Sequence, residues 1–215
     1  DDLNLNTIEI DYKRSSFSVF RNKAVAKLKE VLSPLQAKII FVHKPIDIML
    51  TRLALGNDVK IIAVVHSFSA KYLSYSSEVI AVSSTLKDFL LKQKCDKKIN
   101  IIENMVQIKQ DYTIKNISHI PKIGSMGVFR KTKGFHILIK ALSILKKRNI
   151  NFTCIIAGKG KLYFYYKYLI FRYSLYNELT IEQWISNDKR DAFMDSLDFY
   201  VLPSKKESFG MVIIE

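Results

Sequence analysis

The 215-residue sequence predicts two doubly wound α/β domains facing each other over a cleft, and three observations carry that reading. Short runs such as Val59-Lys60-Ile61-Ile62-Ala63-Val64-Val65 are rich in β-branched residues and apolar on both faces, as strands covered on both sides of a parallel sheet are. These runs alternate with stretches of helical periodicity. Between Gln107 and His119 the pattern turns polar and loses its period, as a linker does, and then the alternation restarts. Domains over residues 1–118 and 119–215 follow from this break.

In order, Thr7 to Tyr12 alternates in part and predicts a short strand. Phe17 to Leu32 places Phe20, Ala24, Leu28 and Val31 at helical spacing, and Ser33-Pro34 stops it. Ala37 to Val42 reads as a strand; Asp47 can cap a helix through Leu55, which Gly56-Asn57 closes. Strands follow at Val59–Val65, Glu78–Ser84 and Ile99–Glu103, with Ser83 or Ser84 capping a helix through Leu90. In the second half the strands are 122–128, 152–157, 180–185 and 199–202. The helices there are 135–147, 161–176 and 189–196, with a last one starting near Phe209.

Composition narrows the classes. An apolar share of 48% with 25% charged residues is globular and excludes disorder and fibrous repeats. Cys95 and Cys154 lie far apart and match no metal or redox spacing, so they read as packed free thiols in a reducing compartment. The net charge of +14 is spread over both halves; it suits nucleic acid, an anionic membrane surface or a polyanionic small molecule. No apolar run reaches the roughly 20 residues of a membrane-spanning helix. No signal-peptide pattern is present, and a start at Asp1 without Met suggests a fragment.

In parallel sheets ligands sit beyond the carboxyl ends of the strands. That rule selects His43, His66, Ser83, Asn104, the segments Gly127–Gly134 and Gly158–Gly160, and Glu207. After the apolar run Phe199–Leu202 the chain makes a polar turn containing Glu207, with Glu215 eight residues on. The helix start beside them offers free N–H groups suited to a phosphate oxygen.

Three of these segments resemble a known family. Gly127-Val128-Phe129-Arg130-Lys131-Thr132-Lys133-Gly134-Phe135 resembles the start of the C-terminal domain in GT-B fold, retaining glycosyltransferases of family 4. Ala157-Gly158-Lys159-Gly160 resembles that family's Ala-Gly-x-Gly turn, and Glu207-Ser208-Phe209-Gly210 through Glu215 its pair of glutamates separated by seven residues. The resemblance implies two incomplete Rossmann-like domains. The first, on the acceptor side, lacks its first strand and glycine-rich loop, and the second, which binds the nucleotide sugar, lacks its last elements.

It further implies transfer of a sugar, with retention, from a nucleotide-diphosphate sugar to a hydroxyl of a glycan or lipid-linked acceptor. The setting would be cytoplasmic, in cell-envelope polysaccharide synthesis, without cofactor or metal. His66 and Glu207 would be catalytic; Gly127, Arg130, Lys133, Gly158, Ser208, Phe209, Gly210 and Glu215 would bind the donor, Glu215 through the ribose hydroxyls. Val128 stands where the family's phosphate-binding arginine usually does, so Arg130 takes that role only with a reshaped turn. Lys159 replaces a frequent acid and makes the pocket more positive. The alternative is a non-catalytic remnant or partner-binding subunit of the same fold.

Lys161 to Tyr176 packs eight Phe and Tyr residues together with Lys and Arg. Two readings remain open for it: a helix packed on the sheet with exposed tyrosine rims, or peripheral contact with an anionic membrane on its inner face. Nucleic acid is not an expected partner, because no helix-turn-helix, zinc or RNA-binding motif accompanies the dispersed basic residues.

Overall fold

The computed structural model describes residues 6–106 and 120–214. They fall into two compact units, one of Asp1–Val106 with Ser208–Ile214, the other of Gln107–Glu207. The polar stretch 107–119, with the predicted domain boundary, and Glu215 lie outside the described residues.

The first unit contains helix α1 (Ser18–Leu32), strand β1 (Ile39–Val42), helix α2 (Pro45–Leu55), strand β2 (Lys60–Val65), strand β3 (Glu78–Ala81), helix α3 (Ser84–Lys92) and strand β4 (Ile99–Ile101). All four strands are parallel in the order β1-β2-β3-β4. Among the described residues this sheet follows the sequence without reversal. Its core holds Ile61, Ala63, Val79, Ala81, Leu86 and Leu90, each fully or almost fully buried. At roughly 1.5–3 kcal/mol per buried large side chain, this apolar layer is the main source of the unit's stability. A second cluster joins Ala24 and Leu28 of α1 to Met49, Leu50 and Ala54 of α2.

Two local expectations are corrected. Thr7–Tyr12 forms no strand: Ile10 and Tyr12 instead turn their apolar surface onto the α1/α2 cluster, so the segment packs on helices rather than in a sheet. Asp47 does not cap α2. Pro45 occupies the first helical position with Lys44 as N-cap, and Asp47, inside the first turn, accepts two hydrogen bonds from Arg14 Nε at 3.0 and 3.1 Å. At the other end, Arg52 donates to the carbonyls of Gly56 (2.7 Å), Val59 (3.0 Å) and Tyr75 (3.0 Å), tying the exit of α2 to the loops before β2 and β3.

The second unit contains strand β5 (Lys122–Met126), helix α4 (Phe135–Lys147), strand β6 (Thr153–Ala157), helix α5 (Tyr163–Arg172), strand β7 (Leu179–Glu182), helix α6 (Asn187–Asp195) and strand β8 (Phe199–Tyr200). Its parallel order is β7-β6-β5-β8, so the chain winds outward from β5 and then returns to lie on the other side of it. That reversal makes the gap between β5 and β8 a topological switch point, where the two crossovers leave a crevice at the carboxyl ends of the strands.

Phe129, Phe135, Ile139, Leu142, Ile156 and Tyr166 fill the core of this unit, and the rings of Phe129, Phe135 and Tyr166 meet edge to face. Burial, followed by the neighbouring Tyr165, pushes the Tyr166 phenol up to about 12, and its hydroxyl donates to the Arg130 carbonyl at 3.4 Å. Burial likewise pushes the Cys154 thiol up to about 12, making it an unreactive packed residue. The final helix, α7 (Met211–Ile214), belongs to the first unit, where Phe209 packs on the core beneath β1–β3. No helix among the described residues is long and apolar enough to cross a membrane.

Candidate functional site

The switch point of the second unit is built from two loops. After β5, the Gly127 amide donates to Ala157 O (3.0 Å) and the Phe129 amide to Lys159 O (2.8 Å), so the loop stays in register with the β6 exit. Lys131–Lys133 then makes one 3-10 turn, and Gly134, at φ +70°, reverses the chain into α4. A side chain at Gly134 would run into the Pro203 carbonyl, so glycine here answers both the left-handed backbone and the close approach of the β8 loop. From that side, the Lys205 amide donates to Thr132 O at 2.9 Å.

These contacts bring Lys133 and Glu207 together. Lys133 Nζ donates to Glu207 Oε1 at 2.5 Å, and the two side chains are 31% and 26% exposed. Gly127 lies beside them: a Cβ on it would stand 3.4 Å from the Phe135 ring and 3.9 Å from the Lys133 side chain. Arg130 is exposed on the turn. Its carbonyl accepts from the Lys133 amide at 3.0 Å, which fixes the backbone between the two basic residues.

His136, in the first turn of α4, was not singled out from sequence. Its pKa is lowered, first by partial burial and then by Lys205 and Lys131. Two lysines from different loops thus act on one imidazole, which locates positive potential at the start of α4. Lys205 could have been anticipated only from the β5–β8 adjacency, which sequence order hides.

Gly158 serves packing. Its amide donates to Glu182 O at 3.1 Å, and an added Cβ would strike the Gly127 carbonyl and the Phe129 ring. Lys159 is drawn away toward Trp184, its ammonium 5.8 Å from the ring centroid. Among the described residues no group of three or more His, Cys, Asp or Glu side chains is placed to hold a metal ion.

Other predicted residues lie in the first unit. His66 Nε2 is 2.9 Å from His43 Nδ1, with the rings stacked at 5.2 Å between centroids. The β1–β2 register puts the ends of these strands side by side, so the pairing was findable from two histidines following consecutive parallel strands. The His66 pKa is lowered, first by burial and then by His43. The contact requires one ring nitrogen to donate and the other to accept.

Ser208, Phe209 and Gly210 also belong to this unit. The Ser208 carbonyl accepts from Ser83 Oγ at 2.6 Å, Phe209 packs on the core, and Gly210 at φ +83° leads into α7. The structure therefore gathers Gly127, Lys133 and Glu207 at one place, with Arg130 and Gly158 on the adjoining turns. It puts Ser208, Phe209 and Gly210 with the unit that carries His66. Glu215 lies outside the described residues.

Two parallel α/β units, with a lysine and a glutamate converging at a switch point, define the class: the chain has the fold of the GT-B glycosyltransferases. Over 94% of its length it resembles Anabaena HepE, solved with UDP and glucose, at a TM-score of 0.75 and 18% identity, covering 63% of that chain. Over 88% it resembles an S. aureus TarM mutant, solved with Fondaparinux, alpha-GlcNAc-glycerol and UDP, at a TM-score of 0.73 and 18% identity, covering 42% of that chain. Residues 109–215 match the model of the family described as glycosyl transferases group 1. A curated relative, the uncharacterized glycosyltransferase YqgM of Bacillus subtilis (strain 168), is 25% identical over 146 residues, which is 67% of this chain and 41% of YqgM. The chain spans less than two thirds of each of these relatives.

Proposed function

We propose that the chain is part of a retaining glycosyltransferase of family 4. It would move a hexose from a nucleotide-diphosphate sugar to a hydroxyl of a glycan or lipid-linked acceptor on the cytoplasmic side of the membrane. The observation that carries the reading is the Lys133–Glu207 pair at the β5/β8 switch point, beside the start of α4.

A sugar diphosphate gains negative charge on its leaving phosphate as the glycosidic bond breaks, and fixed positive groups aimed at that oxygen lower the barrier. The Lys133 ammonium supplies one such charge, Arg130 and Lys205 add positive potential, and the first amides of α4 supply donors. With these counter-charges the reaction is read as independent of metal. Glu207 orients Lys133 and takes hydroxyls of the donor sugar. His66, held by His43, is the candidate for the reacting centre on the acceptor side, and Glu215 is the candidate for the ribose. The UDP bound by HepE and by TarM supports a uridine donor.

Calorimetric titration with UDP, UDP-glucose, a GDP-sugar and a single-stranded oligonucleotide tests this reading. UDP is expected to bind, and Lys133→Ala to weaken it by about tenfold, the worth of one hydrogen bond to a charged group. Silence toward UDP- and GDP-sugars together with tight, salt-sensitive oligonucleotide binding would sink it.

A further inference from the structure

Helix α5 is apolar on its outward face, where a helix packed on a sheet is ordinarily polar. Tyr166, Leu169 and Ile170 point into the core. At about 100° per residue, Phe164, Tyr168 and Phe171 fall on the opposite side in one stripe, and they are 81%, 55% and 75% exposed. By the same rotation Arg172 flanks this stripe on one side and Lys167 on the other, and Lys161 lies in the turn that leads into the helix, all three exposed. Residues 161–177 contain no Asp or Glu. Scattered surface aromatics need no explanation, but a contiguous stripe framed by cations does.

We propose that α5 docks the protein on an anionic lipid bilayer, with Phe164 and Phe171 in the interfacial region and Lys161, Lys167 and Arg172 on lipid phosphates. The arrangement matches the depth profile of an interface: phenyl rings centrally, then tyrosine hydroxyls and cations at the level of the headgroups. With ten residues, α5 is far too short to span and lies in the plane. Pairing of two copies through this face would set the three cations of one against those of the other, whereas an anionic surface neutralises them. The proposal rests on α5 alone and does not require the donor-site reading.

Flotation with vesicles of phosphatidylcholine, alone or mixed with phosphatidylglycerol, tests it, with UDP titration as a parallel readout. The chain is expected to float with the mixed vesicles at low salt and to stay behind with phosphatidylcholine alone. Phe164→Ser with Phe171→Ser should lower partitioning at least about tenfold, since two rings leave the interface. Glutamine at Lys161, Lys167 and Arg172 should lower it about fivefold per charge and flatten its salt dependence. Both variants change only exposed side chains and should bind UDP as the parent does. Failure to float, or equal flotation of the two-serine variant, overturns the proposal. So does an oligomer or oligonucleotide complex that depends on the same rings while vesicle binding does not.

Discussion

Lys133 Nζ donates to Glu207 Oε1 at 2.5 Å, across 74 positions of sequence, and so joins the loops that leave two neighbouring strands of one sheet. A pair with about a third of the lysine side chain in solvent contributes little to stability, on the order of 1 kcal/mol or less. Lys133→Ala and Glu207→Ala should therefore unfold at nearly parental denaturant concentrations while UDP affinity falls sharply in Lys133→Ala. The exchanged pair Lys133→Glu with Glu207→Lys should keep near-parental stability and still fail to bind UDP as the parent does. Retention of both would mean that the pair is structural only.

Three glycines of the same site separate packing from ligand approach. Alanine at Gly158 would push a methyl into the Gly127 carbonyl and the Phe129 ring, and alanine at Gly134 would combine a left-handed backbone with the Pro203 carbonyl. Each should lower the unfolding free energy by about 1–3 kcal/mol. At Gly127 the added methyl would make ordinary contact with Phe135 at 3.4 Å, so Gly127→Ala should cost less than about 1 kcal/mol. Thermal melts of the three variants rank them; a Gly127 variant as damaged as the other two contradicts the ranking.

Much of this was legible in the sequence. Helix α4 starts and ends where its apolar period and Gly134 indicate, because a glycine entry and a buried 3.6-residue pattern act locally. Lys133 and Glu207 were each legible as single residues. The resemblance put them in one donor site, but their direct ion pair was not legible, since it depends on β8 returning to the far side of β5, a choice of strand order that no local pattern encodes. The same reason hid Lys205 beside His136. Thr7–Tyr12 shows the converse: a strand-like pattern forms no strand where its apolar side chains pack on helices α1 and α2. The packing of Phe209 in the first unit, supported by a hydrogen bond spanning 125 positions, was equally out of reach of short-range reasoning.

Ser83 has two tasks that one substitution removes together. Its hydroxyl oxygen accepts from the Leu86 amide at 3.2 Å, capping α3, and its proton goes to the Ser208 carbonyl at 2.6 Å. Ser83→Ala should cost about 1 kcal/mol for the cap. It should also speed amide exchange at Ile213, whose hydrogen bond to Gly210 lies just beyond the released carbonyl. A variant with a lost cap but unchanged exchange at Ile213 would show that Phe209 packing alone holds the terminal segment.

Acid should destabilise the protein through two histidines, and the sign follows from their shifts. Both His66 and His136 have folded pKa values below 6.5, the first through burial and then His43, the second through burial and then Lys205 and Lys131. The unfolded chain takes up these protons more readily, so the contribution is fully present above about pH 6.5 and is lost as pH falls through the folded values. Denaturation midpoints should decline on acidification across that window. His43→Ala should raise the His66 midpoint in an NMR titration yet leave it under 6.5, because removing the neighbouring charge leaves the larger cause, burial, in place. UDP should raise the His136 midpoint by neutralising Lys131 and Lys205 and leave that of His66 less affected. A native His66 that titrates at or above 6.5 would contradict the burial argument, and a His136 that ignores UDP would separate its lysines from the donor site.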